Sequence, residues 1–450
     1  MKTTSAAATI PPTSGRTLFG HPTGLFTLFF AEMWERFSFY GMRALLLFYM
    51  LKGFLGYGDS QAYAVYGAYA ALVYMTPFFG GMLADRLLGA RRAVVLGGIF
   101  MAAGHLTMTI ENTYAFFAAL ALIITGNGFF KPNISTIVGS LYPQGSPKRD
   151  GGFTIFYMGI NLGAAMSPLL CGYIGETYGW HYGFGLATIG MLTGIAVFVA
   201  PVRLTQVLIM MGAAAAALGL FVFRPDNVFS TAANVFIGVS LLAAAVVAWI
   251  ALGRGGLPAE AGLPPDARRL TRRNRVGLRA DWTVYLGALL AIPVIALLVS
   301  GFAPFTASGM AVSLVPAATL ERLAAGSGTL SRILAVVLRE VSKPAGLLLL
   351  VAGLGAYLYV FRQTLKLERI ARERMYVVMI LTFFSLLFWM FFEQAGSSIN
   401  NFTDRNVDRV SAERLVTADM VGQTIQIEPT QEQLGYHNGE LQFTLDQLDA

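Results

Sequence analysis

The stretch "LFFAEMWERFSFYGMRALLLFYM" at residues 28–50 governs the interpretation of the whole sequence. It is long and apolar enough to cross a bilayer as a helix, which needs about 20 mostly apolar residues. It nevertheless contains four charged residues, Glu32, Glu35, Arg36 and Arg43. Because ionisable side chains inside a bilayer are costly and rare, the stretch predicts a transmembrane helix whose charged residues do not face lipid.

The composition of the chain also indicates a membrane protein. Of its 450 residues, 55% are hydrophobic and 13% charged, whereas a soluble protein has about 25% charged residues. Eleven apolar segments have the length of a membrane span: 24–51, 62–84, 93–110, 115–139, 153–174, 183–200, 204–223, 232–252, 282–301, 345–361 and 375–394. The predicted class is therefore an all-α polytopic membrane protein.

The distribution of basic residues predicts the orientation of these segments. If the N-terminus is cytoplasmic and the segments alternate in direction, 20 of the 32 lysines and arginines lie in cytoplasmic connections. This asymmetry is what the positive-inside rule requires. We therefore predict a multi-pass protein of the cell (inner) membrane, and we attribute the net charge of +7 to topology rather than to nucleic-acid binding.

Residue types that would indicate an enzyme or a metal site are sparse. The single cysteine, Cys171, excludes an intrachain disulfide framework and a multi-cysteine metal site. The four histidines are scattered without an H-E-x-x-H motif, and no G-x-S-x-G motif occurs. We expect no catalytic residues, no metal and no cofactor.

The charges of the first segment share one side of the helix. At about 100° per residue, six residues fall within about 140° of the helix circumference. We call these residues the charged face: Glu32, Glu35, Arg36, Phe39, Tyr40 and Arg43. They could be ion pairs that merely neutralise each other. We favour a polar cavity with a proton relay, because protonating a carboxylate breaks its ion pair and releases the arginine.

Two further charged residues could complete such a cavity. Lys131 precedes Pro132 in "GNGFFKPNIST" (126–136), and Glu393 is the only acid of its segment in "FWMFFEQAGSS" (388–398). Lys131 could instead extend towards the membrane surface, and Glu393 could be a solvated carboxylate at a helix end. The glycines beside Lys131 do not form a nucleotide site, since there is no Gly-Lys-Ser/Thr and no preceding strand.

Two other motifs carry polar residues in or beside the apolar segments. Asn161 lies in "FTIFYMGINLGAAMSP" (153–168), and its amide can donate to and accept from an amide-containing ligand. In "GGMLADRLLGARR" (80–92), Asp85 ends one segment, and Arg86, Arg91 and Arg92 are the basic residues of the following loop. A hydrogen bond between Asp85 and an arginine could break and re-form as helices move; a plain positive-inside loop is the alternative.

These motifs resemble known transporters. The 80–92 loop is similar to the loop between helices 2 and 3 of the major facilitator superfamily. "EMWERFSFYG" resembles the first-span motif E-x-x-E-R-F-x-Y-Y-G of the proton-dependent oligopeptide transporter family, the peptide branch of that superfamily. "FYMGINLGA" is similar to the fifth-span signature of that family, and "FFEQAGSS" to its seventh-span motif. The resemblance covers residues 21–200 and 375–410.

The resemblance implies uptake of di- and tripeptides by alternating access, driven by inward proton flow and by no cofactor. It assigns Glu32, Glu35 and Arg36, with Glu393, to proton coupling. The implied peptide-binding residues are Arg43 and Lys131 for the carboxylate, Glu393 for the amino terminus, Asn161 for the backbone, and Tyr40, Tyr69 and Trp389 for the pocket. Asp85, Arg86, Arg91 and Arg92 would form a gating loop. All the intramembrane charges are expected to meet in one wet cavity of a monomeric protein.

The same resemblance implies a domain organisation, which the sequence allows us to number. It predicts a cytoplasmic tail (1–20), an N-terminal six-helix bundle (21–200), an inter-bundle linker with about four additional apolar helices (201–374), the first helix of a C-terminal bundle (375–394) and an extracytoplasmic polar loop or tail (395–450). The chain would then be truncated after the seventh family helix.

The sequence departs from the family pattern in details that leave other functions open. Phe39 stands where the family motif has its first tyrosine, and Ala164 replaces the usual serine. A transporter of the same fold with another small substrate, such as nitrate, an amino-acid conjugate or a drug, is the alternative. An intramembrane enzyme or sensor is the third hypothesis.

Overall fold

The computed structural model describes residues 16–222, 228–274, 277–306, 311–326, 328–407 and residue 422. The predicted tails at 1–20 and 395–450 thus lie largely outside the described residues. The described chain begins with a short hairpin, in which β1 (Thr17–Leu18) pairs antiparallel with β2 (His21–Pro22). Phe19 and Gly20 have φ values of 52° and 76°, which suit a two-residue hairpin turn.

The remaining elements of the described chain are helical. The α-helices are α1 (Gly24–Lys52), α2 (Asp59–Leu83), α3 (Ala90–Thr107), α4 (Thr113–Ser140), α5 (Arg149–Ser167), α6 (Tyr173–Tyr178), α7 (Trp180–Val199), α8 (Val202–Val222), α9 (Val228–Arg254), α10 (Ala267–Thr271), α11 (Ala280–Ser300), α12 (Ala317–Ala324), α13 (Thr329–Val341), α14 (Pro344–Thr364), α15 (Arg369–Phe392) and α16 (Ser398–Asn406). π-helical turns follow α2 (Ala84–Leu88) and α5 (Pro168–Gly172), and 3-10 turns lie at Ala303–Phe305 and Glu393–Gly396.

All eleven predicted apolar segments are helices, and the all-α polytopic class is confirmed. Nine helices of the described chain are long and apolar enough to cross a membrane, by length and composition. The helices α1 and α3 are not among these nine. The charged residues of α1 lower its apolar character, and α3 has 18 residues and begins beside Arg91 and Arg92.

Contacts divide the chain into two compact units. One comprises the described parts of 1–223 and 232–359, and the other comprises those of 224–231 and 360–450. This division does not coincide with the boundary predicted at 374–375.

Helix α1 lies at the centre of the first unit, packed against α5 and α7. On the other side of the unit α4 packs against both α3 and α2, and α11 packs against α4 and α2. Glycines allow these close approaches, because a Cβ at Gly163 would collide with the Met33 backbone and one at Gly80 with the Gly128 backbone. Small residues at such contacts are typical of packed membrane helices.

In the second unit, α15 is a long apolar helix whose surface is largely exposed. Met379 is the one residue of α15 that is buried. The helix ends at Phe392, and Glu393 begins the 3-10 turn that follows it.

Candidate functional site

Three of the predicted charged residues form a compact buried cluster within α1. The Glu35 carboxylate accepts from Arg36 Nε and, at 2.6 Å, from Arg36 Nη2, as a bidentate pair. Arg36 Nε also lies 3.1 Å from Glu32 Oε1. Glu32, Glu35 and Arg36 are each at most 2% exposed. We call these three residues the ion cluster.

The two carboxylates of the ion cluster are held differently. Both oxygens of Glu35 bind Arg36, whereas Glu32 Oε2 is buried with no hydrogen-bond partner among the described residues. The charge of Lys131 on α4 acts on both carboxylates. Glu32 therefore has an oxygen that could accept a proton without first breaking a hydrogen bond.

Two helical turns after Arg36, Arg43 lies among tyrosines. Its Nε donates to the Tyr66 hydroxyl at 2.7 Å, and its guanidinium lies 6.0 Å from the centre of the Tyr40 ring. Tyr69 is buried and interacts electrostatically with Tyr66 and Arg43. The structure thus places Tyr40 and Tyr66 beside Arg43, and the roles of Tyr40 and Tyr69 in a peptide pocket stay predictions.

Lys131 lies within α4, which continues through Pro132. Its ammonium is 4.9 Å from the centre of the Tyr74 ring on α2, a cation–π distance. Gly126 and Gly128 let α4 approach two helices at once, since a Cβ at Gly126 would meet Met101 of α3 and one at Gly128 would meet Thr76 of α2.

Asn161 lies on α5, on a side of that helix that does not contact α1. The buried residues of α5 include Phe156, Gly159 and Gly163, and two of these, the glycines, contact α1. Asn161 is exposed and lies on a different side of α5. Its predicted contact with a peptide backbone stays a prediction.

The loop arginines have partners other than the expected Asp85. Asp85 and Arg86 are exposed, and neither is ion-paired with another described residue. Arg91 Nη1 donates to the Ala259 carbonyl at 3.0 Å, and Arg92 Nη1 lies 3.8 Å from Asp281 Oδ2. The connection between α9 and α11 and the first turn of α11 thus supply the partners, and the expected Asp85–arginine pair is not present among the described residues.

Two predicted site residues belong to the second unit. Trp389 on α15 is 46% exposed, and Glu393, in the turn after it, is half-buried. Their predicted roles in peptide binding and proton coupling stay predictions.

The aromatic partners from α2 are what sequence reasoning missed. Tyr66 and Tyr74 contact the side chains of Arg43 and Lys131. The sequence did indicate that these two tyrosines share one side of α2, because they are eight residues apart and so lie within about 80° of each other on the helix. Nothing local to α2, however, specifies which cations they meet.

Outside the membrane spans, His21 of β2 and Tyr142 after α4 form a contact at the end of the first unit. His21 Nδ1 and the Tyr142 hydroxyl are 2.9 Å apart. Partial burial, and then the charge of Lys148, lower the pKa of His21 below its usual value. Burial raises the pKa of Tyr142 to about 12. Both groups are therefore held in their neutral forms.

Comparison with known proteins links the fold to one family. The sequence model described as the POT family matches residues 91–206. A di-/tripeptide transporter of Lactococcus lactis is 48% identical over 184 residues, which are 39% of this chain and 37% of that protein. The peptide transporter YePEPT of Yersinia enterocolitica is 48% identical over 191 residues, 41% of this chain and 37% of that protein.

Solved structures show the same similarity in three dimensions. A crystal structure of the peptide transporter POT in complex with sulfate has a TM-score of 0.57 and 33% identity, over 91% of this chain and 66% of that one. A POT family transporter in complex with 5-aminolevulinic acid has a TM-score of 0.55 and 27% identity, over 86% of this chain and 62% of that one. The match thus spans under two fifths of those curated relatives and about two thirds of these solved chains. Residues 91–206 thus match the POT family, and the chain is similar to peptide transporters of that family in sequence and in fold.

Proposed function

We propose that the protein takes up di- and tripeptides together with protons across the cell (inner) membrane by alternating access. Its N-terminus is cytoplasmic, it acts as a monomer, and the proton gradient drives it without a cofactor. The observation that carries this proposal is the ion cluster buried in α1, with Arg43 and Lys131 in the same unit. Buried ionisable groups in a membrane helix mark ion or substrate pathways.

Glu32 is the proton acceptor in this proposal. Its Oε2 has no hydrogen-bond partner among the described residues, whereas Glu35 is held by both of its oxygens. Protonation of Glu32 removes its attraction to Arg36. Arg36 then keeps Glu35 as its one ion-pair partner in the cluster, and this loss of the Glu32 pair is the switch that couples proton uptake to helix movement.

Arg43 and Lys131 are the proposed partners of the peptide carboxylate. Both are cations that lie over aromatic rings, and both are half-buried rather than fully enclosed. A carboxylate binds an arginine through charge-assisted hydrogen bonds. The assignments of Asn161 to the peptide backbone and of Glu393 and Trp389 to the amino-terminal side rest on the resemblance of their motifs.

Uptake into proteoliposomes tests the proposal. Labelled dialanine should accumulate when the outside is more acidic than the inside, and Glu32→Gln should abolish this accumulation. The same variant should still exchange labelled for unlabelled dialanine without a gradient, because exchange needs no net proton movement. Arg43→Ala should abolish both activities. Accumulation that is independent of the pH gradient would contradict proton coupling.

A second candidate is a transporter of the same fold for another small zwitterion, such as an amino-acid analogue. It is favoured by the solved relative in complex with 5-aminolevulinic acid and by Phe39, which removes a hydroxyl from the charged face. Competition discriminates the two candidates. If unlabelled dialanine does not compete with the transported compound, the second candidate replaces the first.

A further inference from the structure

An apolar cavity of about 440 Å³ opens between α2, α4 and α11 of the first unit. Its wall includes Phe79 of α2, Phe129 of α4 and Ala291 of α11. We call it the α11 slot. Pockets of about 300–1,000 Å³ hold small molecules. The α11 slot is therefore large enough for a ligand and is more than a packing defect.

The chemistry of the α11 slot suits a hydrocarbon chain. Three threonines are the polar side chains among its lining residues, and each hydroxyl already donates to a main-chain carbonyl. Thr76 donates to Ile124 at 2.9 Å, Thr125 to Ala121 at 2.8 Å, and Thr283 to Arg279 at 3.1 Å. A zwitterionic peptide would find no charge here to bind its ends, whereas an acyl chain needs none.

One end of the α11 slot lies next to the stretch before α11 that contains Arg268, Arg272 and Arg273, which we call the basic segment. Thr283, in the first turn of α11, lines the slot and lies 3.1 Å from Nδ2 of Asn274. The amide of Ala280 donates to the Arg272 carbonyl at 2.9 Å, which holds Arg272 and Arg273 at the start of α11. The slot mouth and this segment are therefore continuous.

The basic segment has arginines whose charges are not neutralised within the described chain. Arg268, Arg272 and Arg273 are exposed, and none has an ion pair with a described residue. The two neighbouring aspartates already form ion pairs with other arginines. Asp266 pairs with Arg269 at 3.3 Å, and Asp281 in α11 pairs with Arg279 at 2.7 Å. The remaining positive charge is complementary to an anion.

An exposed tryptophan stands at the start of α11, where the preference of tryptophan for headgroups favours a membrane surface. Trp282 follows Asp281 in the first turn of α11 and is 53% exposed. Tryptophan is enriched where a membrane helix meets the headgroups. Basic clusters next to a span bind anionic lipids.

We propose that this place is a binding site for one anionic phospholipid. Its headgroup phosphate binds Arg268, Arg272 and Arg273, and one acyl chain fills the α11 slot. This inference goes beyond the proposed transport function. If the N-terminus is cytoplasmic, as proposed, the lipid belongs to the cytoplasmic leaflet, and only this last point depends on the proposed orientation. The inference gives a role to the connection between α9 and α11, which the family resemblance leaves unexplained.

Native mass spectrometry of the purified full chain with added phosphatidylglycerol or phosphatidylcholine of equal chain length tests the headgroup site. The variant R268Q/R272Q/R273Q should bind phosphatidylglycerol roughly a hundredfold more weakly, from about a factor of five for each arginine near an anionic lipid. The matched control is R322Q/R332Q/R339Q, which removes three exposed arginines of α12 and α13 and should bind like the wild type. Equal loss in both variants, or none in the first, would overturn the headgroup site.

A second variant tests the slot independently. Gly287 lines the slot, and a Cβ there would meet nothing within 4 Å, so Gly287→Leu fills the space without a clash. It should reduce retention of both lipids at least tenfold. Gly353→Leu on α14 is the control, because Gly353 also has open space around it but does not line the slot. If Gly287→Leu retains lipid as the control does, no acyl chain occupies the slot.

A charge-preserving variant separates lipid binding from misfolding. R268K/R272K/R273K keeps three cations and should retain most of the preference for phosphatidylglycerol. Inorganic phosphate at millimolar concentration should not displace the lipid, because the acyl chain contributes to binding. If phosphate alone displaces it, the site binds free anions and the proposal is wrong.

Discussion

Helices α1 and α15 are two long helices of one chain with opposite surroundings. In α1, 24 of 29 residues are buried, and three of them are the charged residues of the ion cluster. In α15, Met379 alone is buried among 24 residues, and the charged residues lie in its first turns. The comparison teaches that charge in the middle of a membrane helix requires protein on every side, whereas an apolar helix does not.

Small residues on neighbouring helices create the surroundings of α1. A Cβ at Gly190 of α7 would come within 2.5 Å of the Phe37 ring, and one at Gly194 within 3.0 Å of the Ala31 carbonyl. A Cβ at Gly163 of α5 would come closer still to the Met33 carbonyl oxygen. These glycines let two helices close over the ion cluster and keep lipid away from it.

Removing one ion-paired arginine from each helix should give the largest difference in stability between them. Arg36→Met leaves two carboxylates buried without a cation, which costs about 3–5 kcal/mol when a buried pair is broken. Arg369→Met breaks an exposed pair with Glu373 (3.1 Å), for which at most about 1 kcal/mol is expected. Unfolding in detergent, followed by circular dichroism, measures both. Equal losses of stability in the two variants would mean that Arg36 is no better shielded from solvent than Arg369.

Glycine substitutions test the close packing around α1. Gly163→Ala should destabilise by about 1–3 kcal/mol, because the added methyl group overpacks the contact with Met33. Gly355→Ala on α14 has open space and should stabilise by about 0.5–1 kcal/mol, since alanine favours the helix. The two changes should therefore shift the unfolding midpoint in opposite directions. A shift in the same direction would contradict the contact.

Tyr66→Phe tests the environment of Arg43. The variant removes the hydroxyl that accepts from Arg43 Nε, and a hydrogen bond to a charged group contributes about 1.5–3 kcal/mol. We expect the low end of this range because Arg43 is half-buried. Tyr357→Phe on α14, where the tyrosine is 44% exposed, should be neutral. The same unfolding assay compares the two, and an equal effect would argue against the bond.

The smallest expected effect concerns His21 and pH. Because partial burial and Lys148 lower the pKa of His21 in the folded protein, the unfolded chain binds more protons between the lowered pKa and about 6.5. Stability should thus be fully present above about pH 6.5 and fall as the pH drops through the folded pKa. His21→Gln should flatten this part of the profile. If the slope of stability against pH is unchanged in His21→Gln, a group other than His21 causes the pH dependence.

Much of the fold could be predicted because membrane spans are a local property. Each of the eleven apolar segments is a helix, and the charged face of α1 follows from helical geometry alone. The boundary between units was not predictable in the same way. It depends on which segments that are distant along the chain contact each other.

The candidate site was only partly predictable for the same reason. The residues Glu32, Glu35 and Arg36 are within one turn of each other along the chain, so their pairing needs only the helix. Tyr66, Tyr74 and Asp281 come from other helices, and nothing in their local sequence indicates that they meet Arg43, Lys131 and Arg92. Asp85 was the nearer candidate in sequence, but it lies on an exposed turn.

Apolar length and the 100° helical repeat were enough to establish that this chain is a bundle of membrane helices with opposite charges along one of them, because both depend on neighbouring residues. Packing between helices chose which oxygen of the ion cluster lacks a hydrogen bond, which tyrosines accompany the cations and where a slot opens beside α11. Such choices depend on side chains far apart in sequence, which meet only after the chain has folded.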